Sequence, residues 1–234
     1  MSNATVSAEE VGKFSQLVSR WWDPHGPMRP LHQMNPARIG WIDKLARGAT
    51  GSPKRVLDIG CGAGLAAEAM ARRGHDVLGI DAGNDMVEAA RAHAEGKGLT
   101  LTYRNCVAED LVAEGRRFQV VTALEVIEHV PDPAAFVHVI AQLLEPGGLL
   151  VLSTVNRTTR AWLMAKIGAE YIFRLLPIGT HDWKTFITPA ELGAMMRAAG
   201  VRVTQTTGLL PEPLTGSWHT GRDVGVNYMI AGVR

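Results

Sequence analysis

The chain has 234 residues, of which 46% are hydrophobic and 20% charged, an ordinary balance for a globular domain with a sizeable core. Its 24 basic and 23 acidic residues give a net charge of +1, so no overall positive field attracts nucleic acid. The first residues lack the pattern of a signal peptide, and no run of about 18 apolar residues is long enough to cross a membrane. We therefore expect one cytoplasmic domain over residues 1–234.

The first fifty residues predict a helical N-terminal cap. Ser7-x-x-Glu10 is a capping-box pattern that predicts a helix running to about Trp22. The stretch 23–30 holds three prolines and a glycine and therefore predicts a loop. Asn35-Pro36 predicts the start of a second helix, with asparagine as the N-cap and proline at the first helical position.

From residue 53 onward, strand and helix patterns alternate, which is typical of a mostly parallel sheet with helices on both faces. Strands are predicted at 55–59, 76–80, 100–104, 119–124, 149–154, 201–206 and 226–233. Helices are predicted at 64–73, 84–96 and 133–144, and from Thr188 to about Ala199. We therefore expect an α/β fold with seven strands and an insertion at 157–187, after the fifth strand.

A glycine-rich turn follows the first of these strands, with Gly60, Gly62 and Gly64 at alternate positions. A strand that runs through such a turn into a helix brings backbone N–H groups close to a ligand. The spacing is G-x-G-x-G and not the G-x-G-x-x-G of dinucleotide-binding proteins, and no Walker pattern occurs. Asp81 ends the second strand, where a carboxylate can accept hydrogen bonds from a ribose. A ligand with a ribose but no phosphate fits this pattern, and S-adenosylmethionine is such a ligand.

Glu125, Glu128 and His129 follow the fourth strand at positions i, i+3 and i+4. If this stretch is a helical turn, all three side chains meet on one side, at the carboxyl edge of the sheet. They could then hold a divalent cation such as Mg²⁺. Alternatively, His129 could act as a general base on a substrate hydroxyl, with Glu128 beside it. A third interpretation is that Glu128 and His129 only orient the loop that follows.

Arg38 is a further candidate, for binding the carboxylate of a methionine moiety with its fork of N–H donors. A solvated arginine on a helix is the commoner case, and sequence spacing alone favours it.

Several segments resemble known methyltransferases. The set Asp58-Ile-Gly-Cys-Gly-Ala-Gly, Asp81, Leu124-Glu-Val-Ile-Glu-His-Val-Pro-Asp-Pro and Glu145-Pro-Gly-Gly resembles the Rossmann-like class I S-adenosylmethionine-dependent methyltransferases. A closer resemblance, to the ubiquinone-biosynthesis O-methyltransferase family, covers nearly the whole chain. It is carried by Ser19-Arg-Trp-Trp-Asp, Asn35-Pro-Ala-Arg-Ile-Gly, Gly179-Thr-His-Asp and Asp223-Val-x-Val-Asn-Tyr-Met.

This resemblance implies O-methylation of two polyprenylated phenols, a 2-polyprenyl-6-hydroxyphenol and 3-demethylubiquinol, and a final antiparallel strand. It implies that S-adenosylmethionine is contacted by Arg38, Gly60, Asp81 and Leu124, and we add Asp58 and Gly62 of the same glycine turn. It also implies that Glu125, Glu128 and His129 match positions that carry Mg²⁺ in relatives. Other enzymes of ubiquinone biosynthesis become candidate partners.

The insertion contains a predicted helix at 162–177 in which Lys166, Glu170 and Arg174 form one charged stripe on an otherwise apolar surface. A core helix or a dimer face is one interpretation. A helix lying on the membrane surface is the other. A prenylated substrate favours the second, which predicts peripheral association with the inner membrane.

Two competing functions stay open. One is a class I methyltransferase that acts on a different small molecule, and the other is a non-catalytic S-adenosylmethionine-binding module.

Overall fold

The computed structural model describes residues 7, 10–12, 17–48, 51–163, 185–212 and 214–234. The charged stripe of Lys166, Glu170 and Arg174, and all of the predicted helix 162–177 beyond Leu163, lie outside these residues. Within the described ranges, every helix is too short or too polar to cross a membrane.

The described residues form one eight-stranded sheet with the strand order β3-β2-β1-β4-β5-β8-β6-β7. Strands β1 to β5 pair in parallel, whereas β8 is antiparallel to both β5 and β6, and β7 is antiparallel to β6. The strands are β1 Arg55–Ile59, β2 Asp76–Asp81, β3 Leu101–Asn105, β4 Phe118–Leu124, β5 Leu144–Val155, β6 Arg202–Pro211, β7 Trp218–Gly221 and β8 Asn227–Val233.

The strand order reverses between β1 and β4, because the chain runs outward from β1 to β3 and then returns to the other side of β1. Parallel α/β sheets bind ligands in the crevice at the carboxyl ends of the strands beside such a reversal. The glycine turn follows β1, and Glu125 follows β4. The topology therefore places both predicted groups at the same crevice.

Helices cover the sheet on both faces. Adjacent strand residues alternate between two buried clusters, with Leu57 and Val121 in one and Val56 and Val120 in the other. The first cluster includes side chains of α4, α5 and α6, and the second includes side chains of α1, α2 and α3. The helices are α1 Arg29–Arg47, α2 Leu65–Ala71, α3 Asn84–Ala94, α4 Ala108–Ala113, α5 Pro133–Gln142 and α6 Pro189–Ala198.

The predicted start of the second helix is wrong. Helix α1 begins at Arg29, and Pro36 lies inside it. An internal proline removes one helical hydrogen bond, at a cost of about 3 kcal/mol. Asn35 does not cap a helix, because its Nδ2 donates to the carbonyl of Leu65 at 3.0 Å. Tertiary packing of the buried side chains of α1 outweighs the local signal of an asparagine–proline pair.

Three other differences concern local structure. The edge strand β7 and helix α4 carry too few residues to give a periodic pattern, and sequence patterns missed both. Residues 10–12 are helical and the Glu10 N–H donates to Ser7 Oγ, as the capping box predicts, but Val18–Arg20 is a short 3₁₀ turn. The α/β class, the helices on both faces and the antiparallel final strand are confirmed.

Candidate active site

The glycine turn after β1 has no room for side chains. Gly60, Gly62 and Gly64 have φ values of 65°, 52° and 94°, a region that residues with a Cβ rarely adopt. A Cβ on Gly60 would lie 2.5 Å from Val126 Cγ2, and one on Gly62 would lie 2.5 Å from Trp21 Cζ2. A Cβ on Gly64 would overlap the ring of Tyr103. The turn therefore needs glycine both for its backbone conformation and for close packing.

Asp58, one residue before the end of β1, is a buried carboxylate, and only one of its two oxygens accepts a side-chain hydrogen bond. Its Oδ1 accepts a hydrogen bond from Thr122 Oγ1 at 2.7 Å. Its Oδ2 is buried and has no hydrogen-bond partner among the residues that the structure describes. Burial, and to a smaller extent the charge of Asp81, raises the pKa of the Asp58 carboxyl to about 6, although the Thr122 hydrogen bond, the charge of Arg38 and the nearby backbone N–H of Ala67 oppose the rise. Asp58 also lines the cavity described below, so this oxygen is a candidate acceptor for a ligand.

Arg38 is buried on helix α1 and is also incompletely bonded. One guanidinium nitrogen donates to Asn35 Oδ1 at 3.3 Å, and another lies 3.9 Å from Glu125 Oε1. Its Nε is buried and donates to no group in the described part of the chain. Burial lowers the pKa of Arg38, while Glu125 and Asp58 favour its charged form. The solvated arginine is therefore excluded, and Arg38 lines the same cavity as Asp58.

A small cavity of about 40 Å³ brings these groups together. Arg38 and Asp58 supply its charges, the glycine turn supplies backbone, and Leu124 supplies an apolar wall from the end of β4. Trp21 closes it on the side of the N-terminal segment. The lining residues are Trp21, Leu31, Arg38, Asp58, Gly60, Cys61, Leu65, Ala66 and Leu124.

Asp81, at the end of β2, is bonded on both oxygens. Its Oδ2 accepts from the N–H of Gly62 at 2.9 Å, and its Oδ1 accepts from the N–H of Gly83 at 2.8 Å. Burial raises the pKa of the carboxyl, and the two backbone hydrogen bonds oppose the rise. A carboxylate oxygen has two lone pairs, so each oxygen can accept one more hydrogen bond. Asp81 therefore braces the glycine turn and still has the capacity to bind a hydroxyl.

Glu125 and Glu128 lie at the end of β4, and both are held by hydroxyls of β5. Ser153 Oγ donates to Glu125 Oε1 at 2.6 Å, and Thr154 Oγ1 donates to Glu128 Oε2 at 2.9 Å. Glu125 has a φ of 56°, which is rare for a residue other than glycine. Burial first, and then the charge of Glu125, raises the pKa of Glu128. The carboxyl groups of Glu125 and Glu128 are therefore close to each other in a poorly solvated environment.

His129 points to a different partner. Its Nδ1 lies 2.8 Å from Oε2 of Glu10, in the N-terminal segment. Residues Ile127–His129 form a 3₁₀ turn and not the α-helical turn that the spacing predicted. Across the described residues, no three His, Cys, Asp or Glu side chains are grouped so that they could hold a metal ion. The expected convergence of Glu125, Glu128 and His129 on one metal ion is therefore not found.

Two adjacent tryptophans attach the N-terminal segment to the glycine turn. Trp21 packs on Gly62, and Trp22 Nε1 donates to the carbonyl of Ala63 at 3.0 Å. The Trp22 ring stacks on His93 with ring centroids 3.4 Å apart and an interplanar angle of 16°. The segment is thus part of the wall of the cavity.

Comparisons with known proteins agree with this geometry. A family model for the methyltransferase domain matches residues 31–206. The ubiquinone biosynthesis O-methyltransferase of Cereibacter sphaeroides is 47% identical, over 100% of this chain and 98% of the relative. The protein of the same name from Pseudomonas aeruginosa is 49% identical, over 98% and 97%. The chain belongs to the ubiquinone biosynthesis O-methyltransferase family.

Solved structures confirm the class I fold of this family member. An S-adenosylmethionine-dependent methyltransferase from Thermotoga maritima has a TM-score of 0.67 at 19% identity, covering 95% of this chain and 98% of that one. Magnesium protoporphyrin IX methyltransferase from Synechocystis PCC 6803, with S-adenosylmethionine bound, has a TM-score of 0.66 at 19% identity, covering 100% of both chains. At this identity the likeness shows the fold alone.

The structure brings together most of the residues that the sequence singled out in this methyltransferase. Arg38, Asp58, Gly60 and Leu124 line one cavity, and Asp81 is joined to it through Gly62. Sequence reasoning missed Trp21 and Glu10. Trp21 lies in a segment that the resemblance quoted, but nothing in its spacing pointed to the cavity. No local signal links Glu10 to a histidine 119 residues away.

Proposed function

We propose that this family member transfers the methyl group of S-adenosylmethionine to a phenolic hydroxyl of polyprenylated ubiquinone precursors, in both O-methylation steps of the pathway. Full-length identity of 47–49% to ubiquinone biosynthesis O-methyltransferases carries the proposal. The substrates are a 2-polyprenyl-6-hydroxyphenol and 3-demethylubiquinol.

The cavity fits the methionine end of S-adenosylmethionine. Its ammonium group matches the buried acceptor Asp58 Oδ2, and its carboxylate matches the buried donor Arg38 Nε. A buried polar atom without a partner costs about 1–3 kcal/mol, so a donor and an acceptor of this kind on two residues that line one cavity favour a zwitterionic ligand. Asp81 is placed for the ribose, and Leu124 for an apolar contact. Gly60 and Gly62 keep the backbone open to the ligand.

When bound, S-adenosylmethionine supplies a methyl group on a positively charged sulfur, which leaves as a neutral thioether. The phenol oxygen forms the new bond to carbon, and its proton must be removed. His129 lies in the turn after β4, at the carboxyl edge of the sheet, and is the group that we assign to accept this proton. Arg38, Asp58 and Asp81 fix the position of the donor, because such a transfer depends chiefly on the alignment of the reacting atoms.

The test is methyl transfer from S-adenosylmethionine to a short-chain demethylubiquinol, with the product identified by mass spectrometry as the methyl ether. We expect turnover with this acceptor and with a prenylated catechol, and much weaker turnover with an untailed catechol. Equal turnover with unrelated acceptors would instead favour a methyltransferase for another small molecule. No turnover, with S-adenosylhomocysteine bound in calorimetry, would favour a non-catalytic binding module.

A Mg²⁺ requirement stays a prediction of the family resemblance. Because Glu125, Glu128 and His129 do not converge in the described structure, the steps above use only the side chains of the chain. The measurement is activity after exhaustive EDTA treatment, with the metal content checked, and then after Mg²⁺ is added back. Loss and recovery of activity would require these three residues to rearrange around the ion.

Peripheral association with the inner membrane is proposed for the segment that begins at Trp162. Trp162 and Leu163 are 42% and 52% exposed, and large apolar side chains at that exposure suit an interface. We expect the wild type to sediment with liposomes that contain anionic lipid, and a Trp162→Glu/Leu163→Glu variant to do so less. Leu214→Glu is the control, since Leu214 is 94% exposed elsewhere on the surface. Equal sedimentation of all three would argue against this segment.

A further inference from the structure

Asn35 lies between the start of helix α2 and the guanidinium of Arg38. Its Nδ2 donates at 3.0 Å to the carbonyl of Leu65, the first residue of α2 after the glycine turn. Its Oδ1 accepts from Arg38 Nη2 at 3.3 Å. Both side chains are buried, and their spacing of three residues places them on the same face of helix α1. Asn35 therefore connects Arg38 to the backbone that follows the glycine turn.

The two partners fix the orientation of the Asn35 amide. A backbone carbonyl can only accept, so the group that faces Leu65 is the NH₂. A guanidinium can only donate, so the group that faces Arg38 is the amide oxygen. Each hydrogen bond selects the same orientation of the amide, so each supports the other. The oxygen that Arg38 uses is therefore held in place through the backbone of α2.

The guanidinium of Arg38 is restrained on its two terminal nitrogens. Asn35 accepts from Nη2, and Oε1 of Glu125 lies 3.9 Å from Nη1, beyond hydrogen-bond distance. The Nε donates to no group in the described part of the chain, and Arg38 lines the cavity with Asp58. Fixing an arginine side chain costs rotamer entropy. A guanidinium that is already held therefore binds a ligand at a smaller entropic cost.

We propose that Asn35 is a positioning residue for the cofactor, which holds the Arg38 guanidinium ready for the carboxylate of the methionine moiety. This inference rests on the proposed function, in which Arg38 binds that carboxylate. A role for Asn35 only in joining α1 to α2 would affect every ligand of the site alike. A positioning role affects those ligands that carry the carboxylate.

Two ligands that differ in the carboxylate test the inference. Decarboxylated S-adenosylhomocysteine keeps the adenosine, the thioether and the ammonium group of S-adenosylhomocysteine. Asn35→Leu nearly keeps the size of the side chain but removes both hydrogen bonds. We expect it to weaken binding of S-adenosylhomocysteine about tenfold in calorimetry, and binding of the decarboxylated ligand by less than about twofold. An equal loss for both ligands, or no loss for either, would overturn the inference.

Asn35→Asp keeps the test available if the leucine variant does not fold. It retains an acceptor for Arg38, but its negative charge competes with the ligand carboxylate for the guanidinium and repels it. Affinity for S-adenosylhomocysteine should fall more than in Asn35→Leu, whereas the decarboxylated ligand should bind at least as tightly as to the wild type. Equal losses for the two ligands would again overturn the inference.

Gln119→Leu is the matched control. It removes a side-chain amide whose Oε1 accepts from the N–H of Arg55 at 3.0 Å, at the amino ends of β1 and β4. This variant loses a hydrogen bond between a side chain and the backbone at the opposite edge of the sheet. It should therefore bind both ligands like the wild type.

A double-mutant cycle shows whether Asn35 acts through Arg38. In an Arg38→Met background, Asn35→Leu should have no further effect on S-adenosylhomocysteine binding, because the guanidinium that Asn35 holds is gone. An equal loss in both backgrounds would overturn the inference, and so would a wild type that binds both ligands equally well. If the variants bind as expected but the wild type methylates no phenol, the proposed function fails, and the role of Asn35 in cofactor binding stands.

Discussion

The two carboxylates of the proposed cofactor site, Asp58 and Asp81, are both poorly exposed but are hydrogen-bonded in different ways. Asp81 accepts from two backbone N–H groups, those of Gly62 and Gly83, so its hydrogen bonds stabilise the folded chain itself. Asp58 keeps one buried oxygen without a partner in the described structure, and Arg38, which lines the same cavity, keeps its buried Nε without one. Asp81 therefore serves mainly the shape of the site, whereas Asp58 and Arg38 keep hydrogen-bonding capacity for the proposed ligand.

We expect substitution of Arg38 to have the largest effect on cofactor affinity. Arg38→Met should weaken S-adenosylhomocysteine binding about 100-fold, because a hydrogen bond to a charged group contributes about 1.5–3 kcal/mol and each 1.4 kcal/mol is about tenfold. Calorimetry measures the change, and circular dichroism checks that the fold is kept. Lys44→Met, an exposed change on the same helix, should bind like the wild type. A loss below threefold for Arg38→Met would remove this residue from the site.

Substitution of Asp81 should lower stability as well as cofactor affinity. Asp81→Ala leaves the N–H groups of Gly62 and Gly83 without their acceptor, so we expect the free energy of unfolding to fall by about 1–3 kcal/mol. Cofactor affinity should fall about tenfold as the glycine turn loosens. Urea denaturation and calorimetry measure the two quantities. Asp76→Ala, at the exposed start of the same strand, is the control. Weaker binding with unchanged stability would mean that Asp81 acts on the ligand alone.

Asp58→Asn should separate binding from stability. The amide oxygen can still accept from Thr122 Oγ1, but the charge that faces the cofactor ammonium is lost, and affinity should fall about five- to tenfold. Stability at neutral pH should stay the same or rise. The pKa of Asp58 is about 6 in the folded protein, above the ordinary value of 3.8, so its contribution to stability is lost as pH rises through about 6. Lower stability of the variant at neutral pH would contradict this picture.

The smallest expected effect is a pH dependence of cofactor binding. A cofactor ammonium beside Asp58 would prefer the ionised carboxylate, and burial raises the pKa of this carboxyl to about 6. Affinity for S-adenosylhomocysteine should therefore be about twofold weaker at pH 6 than at pH 7.5, and fall further below pH 6. Calorimetry across this range should show the loss in the wild type and a flatter profile in Asp58→Asn. Parallel profiles would assign the titration to another group.

The sequence predicted those features that depend on local or periodic patterns. The order of strands and helices, the glycine turn and the carboxylates at the strand ends follow from such patterns, and family resemblance pointed to Arg38. The start of α1 could not be predicted, because Asn35 bonds to Leu65, 30 residues away, and burial of the helix outweighs the signal of Pro36.

The partners of the site residues needed the three-dimensional structure. The spacing of Glu125, Glu128 and His129 suits an α-helical turn, but the chain forms a 3₁₀ turn there. Each of the three side chains then meets a different partner, two of them hydroxyls on β5 and one a carboxylate in the N-terminal segment. A three-residue spacing predicts a cluster only when the turn type is known.

The position of Trp21 on the glycine turn has a consequence for the rate at which the cofactor exchanges. Trp21 forms one wall of the cavity beside Arg38 and Asp58, so a movement of the N-terminal segment would change how open this end of the proposed site is to S-adenosylmethionine. A site that is open only part of the time binds more weakly, in proportion to the open fraction. Substitutions that loosen the N-terminal segment, such as at Trp22 or His93, can therefore shorten or lengthen the residence of the cofactor without touching it.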